Sequence, residues 1–138
     1  MDKSTPKNTN HMKNIRSQSQ LENKVSKALW KKGIRFRKNV KLFGTPDIAI
    51  TKYKIVIFID SCFWHSCPIH GKIPKTNEEF WIKKLGRNMK RDIDVNRYYE
   101  EEGWHLLRIW EHEIKENFEG TIDKIIGFIN FHKNNLFS

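Results

Sequence analysis

The stretch Pro46-Asp47-Ile48-Ala49-Ile50-Thr51-Lys52-Tyr53-Lys54-Ile55-Val56-Ile57-Phe58-Ile59-Asp60 decides the fold. Ile55 to Ile59 is the longest apolar run in the chain. It is short, β-branched and aromatic, and reads as a central strand buried on both faces. Asp47 to Ile50 reads as a second strand, and the polar Thr51 to Lys54 as the turn between them. Pro46 fixes its own φ and disfavours helix before it, which gives that strand a stiff entry. If the two strands form a hairpin, Asp60 at the end of one lies near Asp47 at the start of the other.

Upstream, Leu21, Val25, Ala28 and Leu29 recur at helical spacing from Ser19 onward. Ser19 with Glu22 fits a capping box and Gly33 fits a stop. Ile34 and Phe36 alternate with basic residues as a half-buried strand does, and Phe43-Gly44-Thr45-Pro46 is a turn. Downstream, residues 60–77 are irregular and rich in Cys, His, Pro and Gly. A long helix is predicted from Glu78 to Glu101, with Ile82, Leu85, Met89 and Ile93 as its apolar stripe and Gly103 as its end. Trp104 to Trp110 reads as a strand. Thr121 can cap a last helix carrying Ile122, Ile125, Ile126 and Ile129. The order α-β-β-β-α-β-α implies a mixed sheet flanked by helices, an α/β class. Residues 1–17 hold four basic residues against one acid, with Pro6 and several Asn and Ser, and read as a flexible basic arm before a domain over 18–138.

The 138 residues carry 26 Lys and Arg against 16 Asp and Glu, a formal charge of +10. That excess points to a polyanionic partner. With 38% hydrophobic and 30% charged residues, wholesale disorder and a membrane protein are excluded. The first 20 residues lack an apolar core, so no secretory leader is expected. Two cysteines cannot build a secreted disulfide scaffold, which suggests a reducing cytoplasm. Nine Phe, five Trp and three Tyr must fill the core or stack on a ligand.

Asp47, at a stiff strand entry, reads as a Mg²⁺ ligand or as an ordinary turn Asp. Asp60 reads as a second metal ligand or as a strand-end acid. Cys62-Phe63-Trp64-His65-Ser66-Cys67-Pro68-Ile69-His70 is the densest signal. Cys62, Cys67 and His70 suit a structural zinc, with His65, His105 or His112 as fourth ligand. Two buried thiols are the alternative; a disulfide does not suit a reducing compartment. Phe63 and Trp64 sit side by side in a polar loop and Trp81 follows Phe80. Such aromatics stack on bases or wedge between them, or cover the core. Lys83, Lys84, Arg87, Lys90, Arg91 and Arg97 give the long helix a basic face for phosphates.

Pro46-Asp47, Val56-Ile57-Phe58, Cys62-Phe63-Trp64-His65, Phe80-Trp81 with Lys84, Asn88, Arg91 and Asp92, and Trp110-Glu111 together resemble the very-short-patch repair (Vsr) DNA mismatch endonucleases. The resemblance covers about residues 12 to 130. It implies a restriction-endonuclease-like fold, a mixed β-sheet flanked by helices with a zinc-stapled loop. It implies Mg²⁺-dependent nicking 5′ of the T in a T:G mismatch left by deaminated 5-methylcytosine. By the resemblance, Asp47 binds Mg²⁺ with the Ile59 carbonyl; Asp60 stands where other members can carry His, and reads either as a further ligand or as an acid of little consequence. His65 is the general base and Glu22 organises the metal-bound water. Cys62, Cys67, His70 and His112 hold zinc, His112 standing where the family carries cysteine. Phe63, Trp64 and Trp81 form a wedge at the mismatch, and Lys84, Asn88 and Arg91 face DNA. Expected partners are mismatched duplex DNA and, functionally, a cytosine-C5 methyltransferase and mismatch repair proteins. A monomer in the bacterial cytoplasm, nucleoid-associated and with no membrane contact, is expected. A related nuclease on normal duplex, or a zinc-stapled DNA-binding module without turnover, are the other readings.

Overall fold

The computed structural model describes residues 19–134. The basic arm read over 1–17 lies outside them. Helix α1 covers residues 19–31 of the described chain. Strand β1 is Arg37–Lys38, β2 is Ile48–Ile50 and β3 is Ile55–Asp60. Helix α2 is Glu78–Glu101, β4 is His105–Trp110, α3 is Glu111–Glu116 and α4 is Phe118–Asn134.

The four strands form one mixed sheet in the order β1-β2-β3-β4. The expected hairpin is present: β2 and β3 run antiparallel with Ile48 opposite Ile57, joined by a 3₁₀ turn over Thr51–Tyr53. Strands β3 and β4 run parallel, which requires a long crossover, and α2 is its helix. Side chains alternate across the sheet. Ile55, Ile57 and Ile59 join Val25, Leu29, Ile122, Ile125 and Ile129 in a core on the side of α1 and α4. Val56 and Phe58 join Val95 and Tyr99 on the side of α2. Ile57 is fully buried in the larger core. Ile57→Ala is expected to cost about 3 kcal/mol in urea unfolding, the cavity and transfer terms of a buried aliphatic. A cost near zero would place that side chain outside the core. No helix among the described residues is long and apolar enough to cross a membrane.

Four local expectations are corrected. Ser19 already lies within α1, so it does not cap that helix; its Glu22 turns toward Asp47 instead. The strand expected around Ile34 and Phe36 reduces to Arg37–Lys38. Ile34 and Phe36 pack on the core without a ladder, and Asn39, at φ 50°, ends the pairing. Helix α2 buries Trp81, Leu85, Val95 and Tyr99, whereas Ile82, Met89 and Ile93 are about half exposed. Asn88 and Asp92 share the inward face, so counting apolar residues selects the wrong stripe. Helix α4 begins at Phe118, capped by Asn117, whose Oδ1 accepts the Gly120 N–H at 3.0 Å. Thr121 lies inside it and donates its hydroxyl to the Glu113 carbonyl at 2.9 Å. The short helix α3 has no counterpart in the sequence reading.

Candidate active site

A cavity of about 350 Å³ opens where the C-terminal end of β3 meets α2 and the loop after β3. Its walls include Glu22 of α1, Asp47 before β2, Ile59 and Asp60 of β3, His65 of the loop, Asp92 of α2 and Arg108 of β4. Six segments, spread from residue 22 to residue 108, thus meet at one point.

The entry to β2 fixes Asp47. Gly44 has φ 76°, and a Cβ there would meet the Val95 methyls at 2.8 and 2.9 Å, so only glycine lets the turn sit this close to α2. The Tyr99 hydroxyl donates to the Phe43 carbonyl and pins the same turn. Asp47 then accepts the Ile59 N–H at 2.6 Å. Burial pushes its carboxyl up to about 7, the Ile59 N–H works against this, and the neighbouring acids Glu22 and Asp60 add to the rise. The hydrogen bond and charge of Glu22 both disfavour an ionised Asp47, a cost that a divalent cation between them would relieve. The donor set of hard oxygens suits such an ion.

His65 sits between two acids. Its Nδ1 is 2.6 Å from Asp92 Oδ2 and its Nε2 is 3.7 Å from Asp60 Oδ1. Burial works to lower its pKa, but the Asp92 hydrogen bond and the charges of both acids carry it above the ordinary histidine value. Asp60 is buried, which raises its carboxyl; His65 and Arg108 hold the rise back.

The loop from 61 to 77 has no helix or strand. Cys62 and Cys67 are both buried free thiols, and with His112 of α3 they form a group whose ligand atoms all lie within 4.8 Å. His112 Nδ1 is 3.3 Å from Cys62 Sγ and 3.6 Å from Cys67 Sγ. Tetrahedral bond lengths for zinc put S and N ligands about 3.6 Å apart, so the geometry fits. Burial raises the Cys62 thiol to about 11; the backbone N–H of His112 lowers it and Cys67 raises it further. The backbone winds tightly here: the Cys67 N–H donates to the Cys62 carbonyl at 2.9 Å and the Gly71 N–H to the Cys67 carbonyl at 2.8 Å. A Cβ on Gly71 would meet three backbone atoms within 2.8 Å. His70 is not in the group of three. Its Nε2 faces Glu116 at 3.6 Å, while its ring lies 4.7 Å from the His112 ring. His105 stacks on His132 at 3.8 Å, away from the thiols.

Phe63 packs edge to face on both Trp64 and Trp81, whose own rings are tilted at 59°, with centroids 5.0 to 5.9 Å apart. Phe63 and Trp64 are partly exposed and Trp81 is buried behind them. Lys84 Nζ lies 5.9 Å from the Trp64 ring, and the Asn88 amide donates to the Trp64 carbonyl at 3.3 Å. Arg91 lines the cavity.

Three site residues have no role in the sequence reading. Asp92 and Glu111 enter it only as members of the motifs that carry the resemblance. Arg108 interrupts the apolar run Leu106-Leu107-Arg108-Ile109-Trp110 on the face of Leu106 and Trp110, a signal that was there to be used. Glu111 accepts the Cys62 N–H at 2.9 Å and ties the end of β4 to the loop.

Residues 1–70 match the family described as DNA mismatch endonuclease Vsr. The chain is 46% identical over 110 residues to the type II nicking enzyme V.NaeI of Lentzea aerocolonigenes, covering 75% of this chain and 66% of that one, just under two thirds. It is 40% identical over 125 residues to the type II nicking enzyme V.HpaIIP of Haemophilus parainfluenzae, covering 86% and 89%. It is 39% identical over 95 residues to the DNA mismatch endonuclease Vsr of Escherichia coli K12, covering 66% and 60%. With Asp47, His65 and the Cys62–Cys67–His112 group assembled around one sheet, the chain belongs to the Vsr family of DNA mismatch endonucleases.

Proposed function

We propose that this endonuclease nicks duplex DNA at a T:G mismatch, on the 5′ side of the T, leaving a 5′-phosphate and a 3′-hydroxyl. One observation carries the reading: Asp47, Glu22 and His65 share a cavity whose wall includes Trp64 of the aromatic cluster. The sheet and helices fit a restriction-endonuclease-like arrangement.

Asp47 and the Ile59 carbonyl would hold Mg²⁺, which needs only one or two carboxylates besides water and substrate phosphate, and Glu22 would organise its water. When bound, that ion neutralises and polarises the scissile phosphate. Asp92 accepts at Nδ1 of His65, which keeps the proton there and leaves Nε2 to take one from the attacking water. The new bond forms between that water oxygen and phosphorus, and the bond from phosphorus to the 3′ oxygen breaks. Cys62, Cys67 and His112, with His70 as fourth ligand, hold a structural Zn²⁺ that shapes the loop. Phe63, Trp64 and Trp81 act as one packed wedge. Unstacking is cheapest at a mismatch, so the wedge contributes selectivity. Lys84 and Arg91 supply phosphate contacts. A single mismatched T is an asymmetric target, which suits a monomer.

The test uses end-labelled duplexes with one T:G pair in several sequence contexts, beside T:A controls, with Mg²⁺ and then EDTA. One Mg²⁺-dependent nick on the T strand alone is expected. Cutting of both duplexes would replace the mismatch reading with a nuclease of normal DNA. In the same assay, Trp64→Ala is expected to reduce the T:G over T:A preference about tenfold, the worth of one lost aromatic stack. An unchanged preference would remove Trp64 from recognition.

A further inference from the structure

The cavity holds a fourth carboxylate, Asp60, and a guanidinium that the proposed reaction does not use. One terminal nitrogen of Arg108 donates to both Asp60 oxygens, at 3.0 and 3.1 Å. Its Nε donates to Asn96 Oδ1 at 2.7 Å, and its plane lies over the Phe58 ring at 4.4 Å. The other terminal nitrogen is buried with no hydrogen-bond partner and stands 3.8 Å from Asp92 Oδ1. Arg108 therefore bridges the two acids that flank His65, one on each ring nitrogen.

We propose that Arg108 is a positioning residue that withholds Asp60 from the divalent-cation site and keeps it as a fixed wall opposite Nε2 of His65. The proposal rests on the metal-dependent reading above. Asp60 is 4% exposed, and an ionised carboxylate so buried must be paired. Both its oxygens are engaged by one nitrogen, so a cation that recruited it would compete with the Arg108 guanidinium for the same carboxylate. Asp47, with Glu22 on the metal-bound water, already supplies the carboxylates that Mg²⁺ needs. A third would hold the ion tighter in substrate and transition state alike, and draw charge away from the phosphate. Tighter uniform binding does not speed a reaction.

The test titrates Mn²⁺ into zinc-loaded protein, followed by loss of the free-ion paramagnetic resonance signal, beside single-turnover nicking. In Arg108→Met, Asp60 is released: Mn²⁺ affinity is expected to rise about tenfold while nicking falls about tenfold, with duplex affinity within about threefold. Asp60→Asn in the otherwise unchanged chain should leave Mn²⁺ affinity within about threefold, and Asp60→Asn/Arg108→Met should restore both readouts toward it. The double variant removes both charges of a buried pair and is expected to fold even if Arg108→Met does not. A loss of Mn²⁺ in Asp60→Asn as large as in Asp47→Asn would make Asp60 a ligand and overturn the proposal. Full Mn²⁺ binding in Asp47→Asn would instead overturn the metal-dependent reading, and this proposal with it.

Discussion

His65→Ala is expected to slow strand cleavage about 10³-fold, within the range for removing a positioned general base. Asp47→Asn should do at least as much. The expectation comes from what each side chain has been given. His65 has Nδ1 committed to Asp92 and Nε2 turned toward the cavity. Asp47 is set by a glycine turn and by the Ile59 N–H, and burial beside Glu22 and Asp60 raises its carboxyl to about 7, the kind of perturbation found at functional sites. Neither lies in a core cluster, so both variants should fold. Single-turnover nicking of a T:G duplex measures the rate, and fluorescence anisotropy the affinity, expected within about threefold of the unaltered protein. Zinc content should stay constant in both. Cleavage at more than about a tenth of the original rate in either variant would remove that residue from the chemistry.

The second large effect concerns the loop. Cys67→Ser is expected to release the bound zinc, lower the melting temperature by about 10 °C and abolish nicking. The 61–77 segment has no regular structure of its own, and its ordered backbone turns around the two thiols. The same loop carries His65, Phe63 and Trp64. On the proposed reading, loss of the metal would misplace the proposed general base and wedge together, since all three share this loop. Calorimetry and elemental analysis read stability and metal separately. A variant that kept one zinc per chain and its melting temperature would exclude Cys67 as a ligand. Ligation by His70 has its own signature, since His70→Ala should weaken zinc retention without altering the fold of the sheet.

Much of this was legible in the chain. The apolar run of β3, its hairpin with β2 and the full extent of α2 follow from local pattern, because burial on both faces and a 24-residue helix leave few alternatives. The thiols and the aromatic pair announce themselves by being out of place in a polar loop. What local pattern could not give was the partner of each charged group. Asp92 lies 27 residues from His65, and Arg108 lies 48 from Asp60. Such pairs depend on how the crossover sets α2 and β4 against β3. The face of α2 was misread for the same reason: Asn88 and Asp92 turn inward toward the site, and polar residues facing inward look like solvent-facing ones in a sequence.

The parallel pairing of β3 with β4 also sets the order in which a newly made chain becomes dangerous. A ribosome delivers Asp47 and His65 well before His105–Trp110, at about 5 to 20 residues per second. Until β4 emerges, nothing backs the far side of β3. Arg108 is missing from Asp60, and the His112 contact with the two thiols cannot form. A half-synthesised chain thus carries its acids and its base on a sheet that is not yet closed. Competence to cut DNA arrives late in translation, with the strand that completes the sheet.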